Sequence, residues 1–165
     1  MHSRPLSFIQ AAPALGNQWA DDWVLRAWLE TRLPADLLAA ERPALDELGQ
    51  RAGHEWYEMQ LADRLNEPRL TQWSPWGERI DTIELTPLWR RAKHWAAEYG
   101  LVATGYDESL EEHARTVQFA RAWLFIPSTD FYGCPLAMTD GAARILSNAG
   151  NEALAERALP HLLAR

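Results

Sequence analysis

Apolar residues recur along most of this chain at helical spacing. Ala20, Trp23, Val24, Ala27 and Trp28 fall at i, i+3, i+4, i+7 and i+8, a stripe that predicts a helix packed through its tryptophans, with Asp21 and Asp22 in the first turn where the helix dipole favours negative charge. Pro34 ends that helix or begins the next. Over residues 43–66, Leu45, Leu48, Ala52, Trp56 and Met59 share one side, leaving Glu47, Gln50, Arg51, Glu58 and Arg64 for solvent. Gly49 and Gly53 weaken this helix by up to about 1 kcal/mol each relative to Ala. Tertiary packing has to make up the difference.

The pattern changes over residues 68–86. WSPWGERIDTIEL joins a Pro and Gly turn to an alternation of Asp81, Ile83 and Leu85 against Ile80, Thr82 and Glu84, which predicts a short hairpin near residues 70–85. Helical spacing resumes at Thr86-Pro87, a cap residue followed by proline at the first helical position. Leu88, Ala92, Trp95 and Tyr99 then share a face, and Gly100 sits where a helix stops. After a linker containing Gly105, with Asp107 as a cap, Leu110, Val117, Ala120 and Leu124 predict a helix over residues 109–126 closed by Pro127. FYGCPLAMTDGAARIL (131–146) predicts another: Gly133 frees the backbone, Cys134-Pro135 marks the entry, and Ala137, Gly141, Ala142 and Ala143 leave room for a neighbouring backbone or a ligand. Tight core packing of that helix is the alternative. Leu154, Ala158, Leu162 and Leu163 form a last amphipathic segment, and the apolar ending PHLLAR suggests a boundary within a longer polypeptide. The fold class is all-α with an inserted hairpin, preceded by an extended or loosely docked arm over residues 1–16.

Composition narrows the classes. A chain of 165 residues with 47% hydrophobic side chains suits one soluble domain. The net charge of −7 argues against nucleic-acid binding by this segment, because phosphate binding needs a basic face. Cys134 is the lone cysteine, which rules out an internal disulfide framework and fits a reducing compartment. With no signal-peptide run at the start and no membrane-length apolar stretch, a cytoplasmic protein with no membrane contact is expected.

Candidate chemistry is sparse. No phosphate-cradling glycine loop and no nucleophile elbow can be written. The histidines, His2, His54, His94, His113 and His161, are scattered; His54 and Glu58 stand one helical turn apart but suit an exposed ion pair better than a metal, and Glu111-Glu112-His113 reads as a solvated helix start. Cys134 near a helix N-terminus has the setting of an activated thiol but no evident partner base, so a packing role suits it better. Of the nine tryptophans, Trp23, Trp28, Trp56, Trp89 and Trp95 fall on helical stripes and are expected in the core or at helix interfaces, whereas Trp73 and Trp76 flank a turn and suit contact with another domain or subunit.

Two stretches carry a family resemblance. NEPRLTQWSPWGERIDTIELTPLW (66–89) and HARTVQFARAWLFIPSTDFYGCPLAMTDGAARIL (113–146) together resemble the acyl-CoA dehydrogenase superfamily and, within it, the adaptive-response, AidB-type branch; SNAGNEALAERALPHLLAR is similar to the helix that closes the N-terminal α domain of the wider superfamily. The resemblance implies a helical N-terminal domain of an FAD-dependent oxidoreductase acting on acyl-CoA thioesters, expected to be a homo-oligomer. FAD and the catalytic base would lie in β and C-terminal helical domains absent from this chain, so no catalytic, cofactor-binding or metal-binding residue is assigned here and the chain alone is expected to be inactive. The Met-Thr helix would supply one wall of the acyl pocket, through Met138, Thr139 and Ala142. Asp140 departs from the small or apolar residue expected beside such a wall, so it should point away unless the substrate differs. The branch's association with DNA belongs to its C-terminal region. A non-catalytic interaction module that kept the fold, docking through Trp73 and Trp76, is the alternative.

Overall fold

The computed structural model describes residues 13–165. The arm expected over residues 1–16 lies outside the described residues as far as position 12, as does His2; residues 13–17 form no regular element. Eight helices follow, interrupted by one hairpin: α1 (Gln18–Asp21), α2 (Trp23–Arg32), α3 (Ala35–Gly53), α4 (Glu55–Asp63), β1 (Arg69–Trp73), β2 (Arg79–Glu84), α5 (Pro87–Glu98), α6 (Ala114–Phe125), α7 (Gly133–Asn148) and α8 (Glu152–Leu162). No helix among the described residues is long and apolar enough to cross a membrane.

The core is aromatic at its centre. Trp56 of α4 is fully buried against Trp95 of α5 (ring centroids 5.2 Å apart) and meets Phe125 of α6 edge-on at 5.0 Å, with Tyr99 at 6.2 Å. Leu45, Leu48 and Ala52 of α3 and Val117, Ala120 and Leu124 of α6 close around these rings. The predicted face of α5 is buried in full, and its start is as expected: Thr86 accepts from the Trp89 amide at 3.1 Å. Gly100 takes φ +60° at the helix end.

Several expectations are corrected. On α2, Trp23 is 71% exposed and Trp28 41% exposed, while Leu25 and Leu29 are buried. This helix carries two apolar stripes, and the leucine stripe is the one that meets the core. Asp22 does not continue a first turn; it kinks the chain between α1 and α2 and caps α2 by accepting from the Leu25 amide at 2.8 Å. Pro34 opens α3, which contains Pro43 and breaks at His54 (φ −126°, ψ −90°), so the single helix expected over 43–66 is two. The glycine cost is offset by close approach: a Cβ at Gly49 would strike the Trp19 amide and one at Gly53 the Gly16 carbonyl, so both glycines admit the segment leading into α1. The helix expected over 109–126 begins only at Ala114, preceded by a 3₁₀ turn Glu108–His113 in which Glu111 has φ 48°. Trp89 is half-buried, edge-on to Tyr132 at 5.0 Å.

The hairpin is antiparallel, Leu70 facing Ile83 and Thr71 facing Thr82, with a bulge before Trp73 pairs with Arg79. Asp81 takes φ 44° within β2. The hairpin stands off the core, with Leu70, Trp73, Ile80 and Ile83 exposed and Trp76 at 92%.

Candidate functional site

A groove of about 400 Å³ runs between α6 and α7. Leu101, Phe119, Ala122, Ile126 and Leu136 make it apolar, and Gly133, Ala137 and Gly141 keep the α7 side shallow. The two glycines differ in what they permit. A Cβ at Gly133 would lie 2.8 Å from Ile126 Cδ1, so α7 is held close to the end of α6; nothing lies within 4 Å of a Cβ at Gly141, where the groove is open. The backbone freedom expected of Gly133 is exercised earlier, at Asp130 (φ 50°) and Phe131 (φ 60°), and α7 begins at Gly133 with Pro135 in its first turn.

One end of the groove is polar. Arg115 Nη1 donates to Asp140 Oδ1 and Oδ2 at 2.8 and 2.7 Å, and its guanidinium also reaches Gln118 Oε1 at 2.7 Å. The Tyr106 hydroxyl lies 2.6 Å from Asp140 Oδ1, beneath an Arg115 guanidinium stacked 4.6 Å from its ring. Buried Gln118 donates onward to the Leu101 carbonyl at 2.9 Å. Burial alone would raise the Asp140 carboxyl, but the hydrogen bonds from Arg115 and Tyr106 outweigh it and hold the pKa below the ordinary value. Burial, followed by the hydrogen bond to Asp140, pushes the Tyr106 phenol up. The cluster is thus an ionised, internally neutralised pair that clamps α7 to α6. Arg144, which also lines the groove, is an exposed cation.

Met138, Thr139 and Ala142 lie together on one side of α7, but do not line this groove. Met138 is 72% exposed, Ala142 is half-buried, and Thr139 Oγ1 donates to the Pro135 carbonyl at 2.8 Å within its own helix. Asp140 does point away from the Met138 and Ala142 side, two hundred degrees around the helix at about 100° per residue, and its direction is into the groove's polar end. Ala143 is fully buried toward the core. Sequence reading missed Tyr106, Arg115 and Gln118. A signal exists in the sequence: Asp140 is the one carboxylate of α7, whose sole other charged residue is Arg144.

The remaining candidates do not assemble. Cys134 is exposed at the start of α7. No group of three or more metal-ligating side chains occurs among the described residues. His54 is exposed at the α3–α4 junction, and His113 Nε2 lies 3.9 Å from Glu112.

The eight α-helices among the described residues, their helical core and the projecting two-stranded hairpin match the helical N-terminal domain of acyl-CoA dehydrogenases. Within that class, residues 10–165 match the family model of the adaptive response protein AidB N-terminal domain, and the chain belongs to that family. It is similar to acyl-CoA dehydrogenase family member 11 of Caenorhabditis elegans, 32% identical over 99% of this chain and 27% of that protein. Two solved structures share the fold: Bd2924 in its apo-form, at TM-score 0.89 with 39% identity over 95% of this chain and 31% of that one, and C. elegans ACDH-11 in complex with C11-CoA, at TM-score 0.86 with 32% identity over 99% of this chain and 28% of that one. The chain spans less than a third of the length of these relatives.

Proposed function

We propose that this chain is the N-terminal helical wall of an FAD-dependent, acyl-CoA dehydrogenase-like oxidoreductase, with α7 flanking the acyl chain of an acyl-CoA thioester. The observation that carries the reading is the apolar α6–α7 groove floored by Gly133, Ala137 and Gly141, in a fold whose relative ACDH-11 is known in complex with C11-CoA. An alkyl chain needs close approach and a lining without buried unpaired charge; Arg115 and Asp140 neutralise each other, and the remaining charged lining residue, Arg144, is exposed to solvent. FAD does not fit the residues present: its diphosphate needs a glycine-rich cradle or a cationic cluster, whereas the groove is apolar and its Arg115 is already committed to Asp140. FAD binding and catalysis therefore belong to β and C-terminal domains, on the same or another chain, and this chain alone is inactive.

Met138, Thr139 and Ala142 are the second placement of the acyl wall, favoured by the exposure of Met138 on a side of α7 that another domain could cover. Amide chemical shifts of the isotope-labelled protein titrated with C11-CoA separate the two. Perturbations at Gly133, Ala137 and Gly141 support the groove, and perturbations confined to Met138, Thr139 and Ala142 move the wall to the other side. A spectrum unchanged at millimolar ligand, a binding energy weaker than about 4 kcal/mol, rejects both. The exposed hairpin supports a different class, a non-catalytic module docking a partner through Trp73 and Trp76; loss of partner capture in Trp76→Ala with unchanged C11-CoA shifts would favour it.

A further inference from the structure

The aromatic residues that fail to enter the core border a trough between α2 and α6. Val24 and Trp28 of α2, with Phe119 and Trp123 of α6, line an apolar stretch of about 300 Å³. Trp123 is also a wall of an adjoining stretch of about 460 Å³, whose other side is Gln18, Asp21 and Trp23. Trp28, Phe119 and Trp123 are 41%, 61% and 63% exposed, so water covers ring surface that an apolar segment would take up.

The chain itself arrives at this trough. Gln18 Nε2 donates to the Leu15 carbonyl at 2.6 Å, and a Cβ on Gly16 would lie 2.6 Å from Asp21 Oδ2, so residues 15 and 16 run along the rim that Gln18 and Asp21 form. Twelve residues, MHSRPLSFIQAA, precede Pro13. Ala12 and Arg4 each stand before a proline, which biases them to extended backbone. About four or five extended residues span about 15 Å, as do the ten residues of α2. An arm laid along α2 from Pro13 therefore brings Ile9 and Phe8 level with the outward rings.

Its composition suits the surface. Leu6, Phe8 and Ile9 supply apolar side chains, and the segment contains Arg4 and no carboxylate, so nothing in it is repelled by Asp21 or Glu30. Both acids are exposed and form no ion pair among the described residues. Another domain or a second copy reaches this face over a longer link or none, whereas the arm is held beside it by a short one, which sets an effective concentration in the millimolar range.

We propose that Leu6, Phe8 and Ile9 of the arm cover the α2–α6 trough of their own chain. Phe119 also lines the α6–α7 groove, so the docked arm backs one wall of that groove. The inference does not depend on the enzyme reading.

Paramagnetic relaxation in the full 165-residue chain tests it. The exposed Cys134 is replaced, Cys134→Ser, and a nitroxide is attached through Ser7→Cys. The indole N–H signals of Trp28 and Trp123 are expected to lose most of their intensity, while those of Trp73 and Trp76 on the hairpin keep theirs. Adding Phe8→Asp and Ile9→Asp to the labelled chain restores the Trp28 and Trp123 signals and leaves the far-ultraviolet spectrum unchanged. Equal broadening of all four indoles overturns the proposal, as does broadening that survives the two aspartates. Unbroadened Trp28 and Trp123 signals also overturn it and leave the trough to another domain. So does broadening of an isotope-labelled chain by a separate nitroxide-labelled one, because a second copy then supplies the arm.

Discussion

Helices α2 and α5 carry the same kind of message, tryptophan on a helically spaced apolar stripe, and meet opposite fates. Leu88, Ala92 and Trp95 of α5 and Tyr99 at its C-terminal cap are all buried, whereas Trp23, Val24 and Trp28 of α2 face outward. The rest of each helix accounts for the difference. Most of the remaining positions of α5, Arg90, Arg91, Lys93, His94 and Glu98, are charged or polar, and Ala96 extends the same buried face, so the helix has one favoured burial solution. On α2 the pair Leu25 and Leu29 offers a second apolar stripe, and branched aliphatic chains interdigitate in a narrow helix interface more readily than indoles. Where two stripes compete, periodicity identifies the helix and its neighbours choose the face.

That contrast can be broken experimentally. Trp95→Ala is expected to cost about 3–5 kcal/mol and to lower the thermal midpoint by about 10 °C; a shift as small as that of a surface mutant would undo the distinction. Next in size is the pair that seats α6, and with it the wall α2 packs on: Arg121 Nη2 lies 2.6 Å from Glu41 Oε2 with both side chains largely buried, while Nη1 holds the Tyr99 carbonyl at 2.9 Å. Glu41→Ala strands the guanidinium and is expected to cost about 3 kcal/mol, most of it recovered when both residues become Met. Chemical denaturation of the two variants measures this.

Asp140→Asn is expected to cost about 1–3 kcal/mol near neutral pH by unpairing Arg115. It also changes the acid limb. Because the folded carboxyl titrates below its unfolded value of 3.8, its contribution is fully present above that value and is lost as pH falls through the folded pKa. Wild-type stability therefore drops in that acid window by an increment the Asn variant lacks. Trp23→Ala gives the smallest effect, within about 0.5 kcal/mol on dilute protein, and a larger loss would mean that the outward stripe of α2 is part of the core after all.

Legibility in the sequence followed the same logic. The α5 face, the Thr86 cap, the hairpin and the order of the helices could be read because local pattern and burial agree there. The start of α6 could not, because Ser109 to His113 look helical while Glu111 adopts a backbone conformation that no spacing announces. In α7 the small residues pointed to a site, but Ala137, Gly141, Ala142 and Ala143 occupy several sides of the helix, so smallness alone could not say which one faces a groove. The Arg115–Asp140 clamp joins residues 25 positions apart. Only the packing of α7 on α6 brings them together.

Gly49 and Gly53 have a kinetic consequence. A helix interrupted by two glycines and a proline holds its last turns poorly on its own, and the notches those glycines leave are filled only by the chain from Gly16 to Trp19. The C-terminal half of α3 and the short α1 should therefore open and close as one cooperative unit. Their amides should share a single hydrogen-exchange protection level, and it should fall in both places at once when Gly53→Ala blocks the docking.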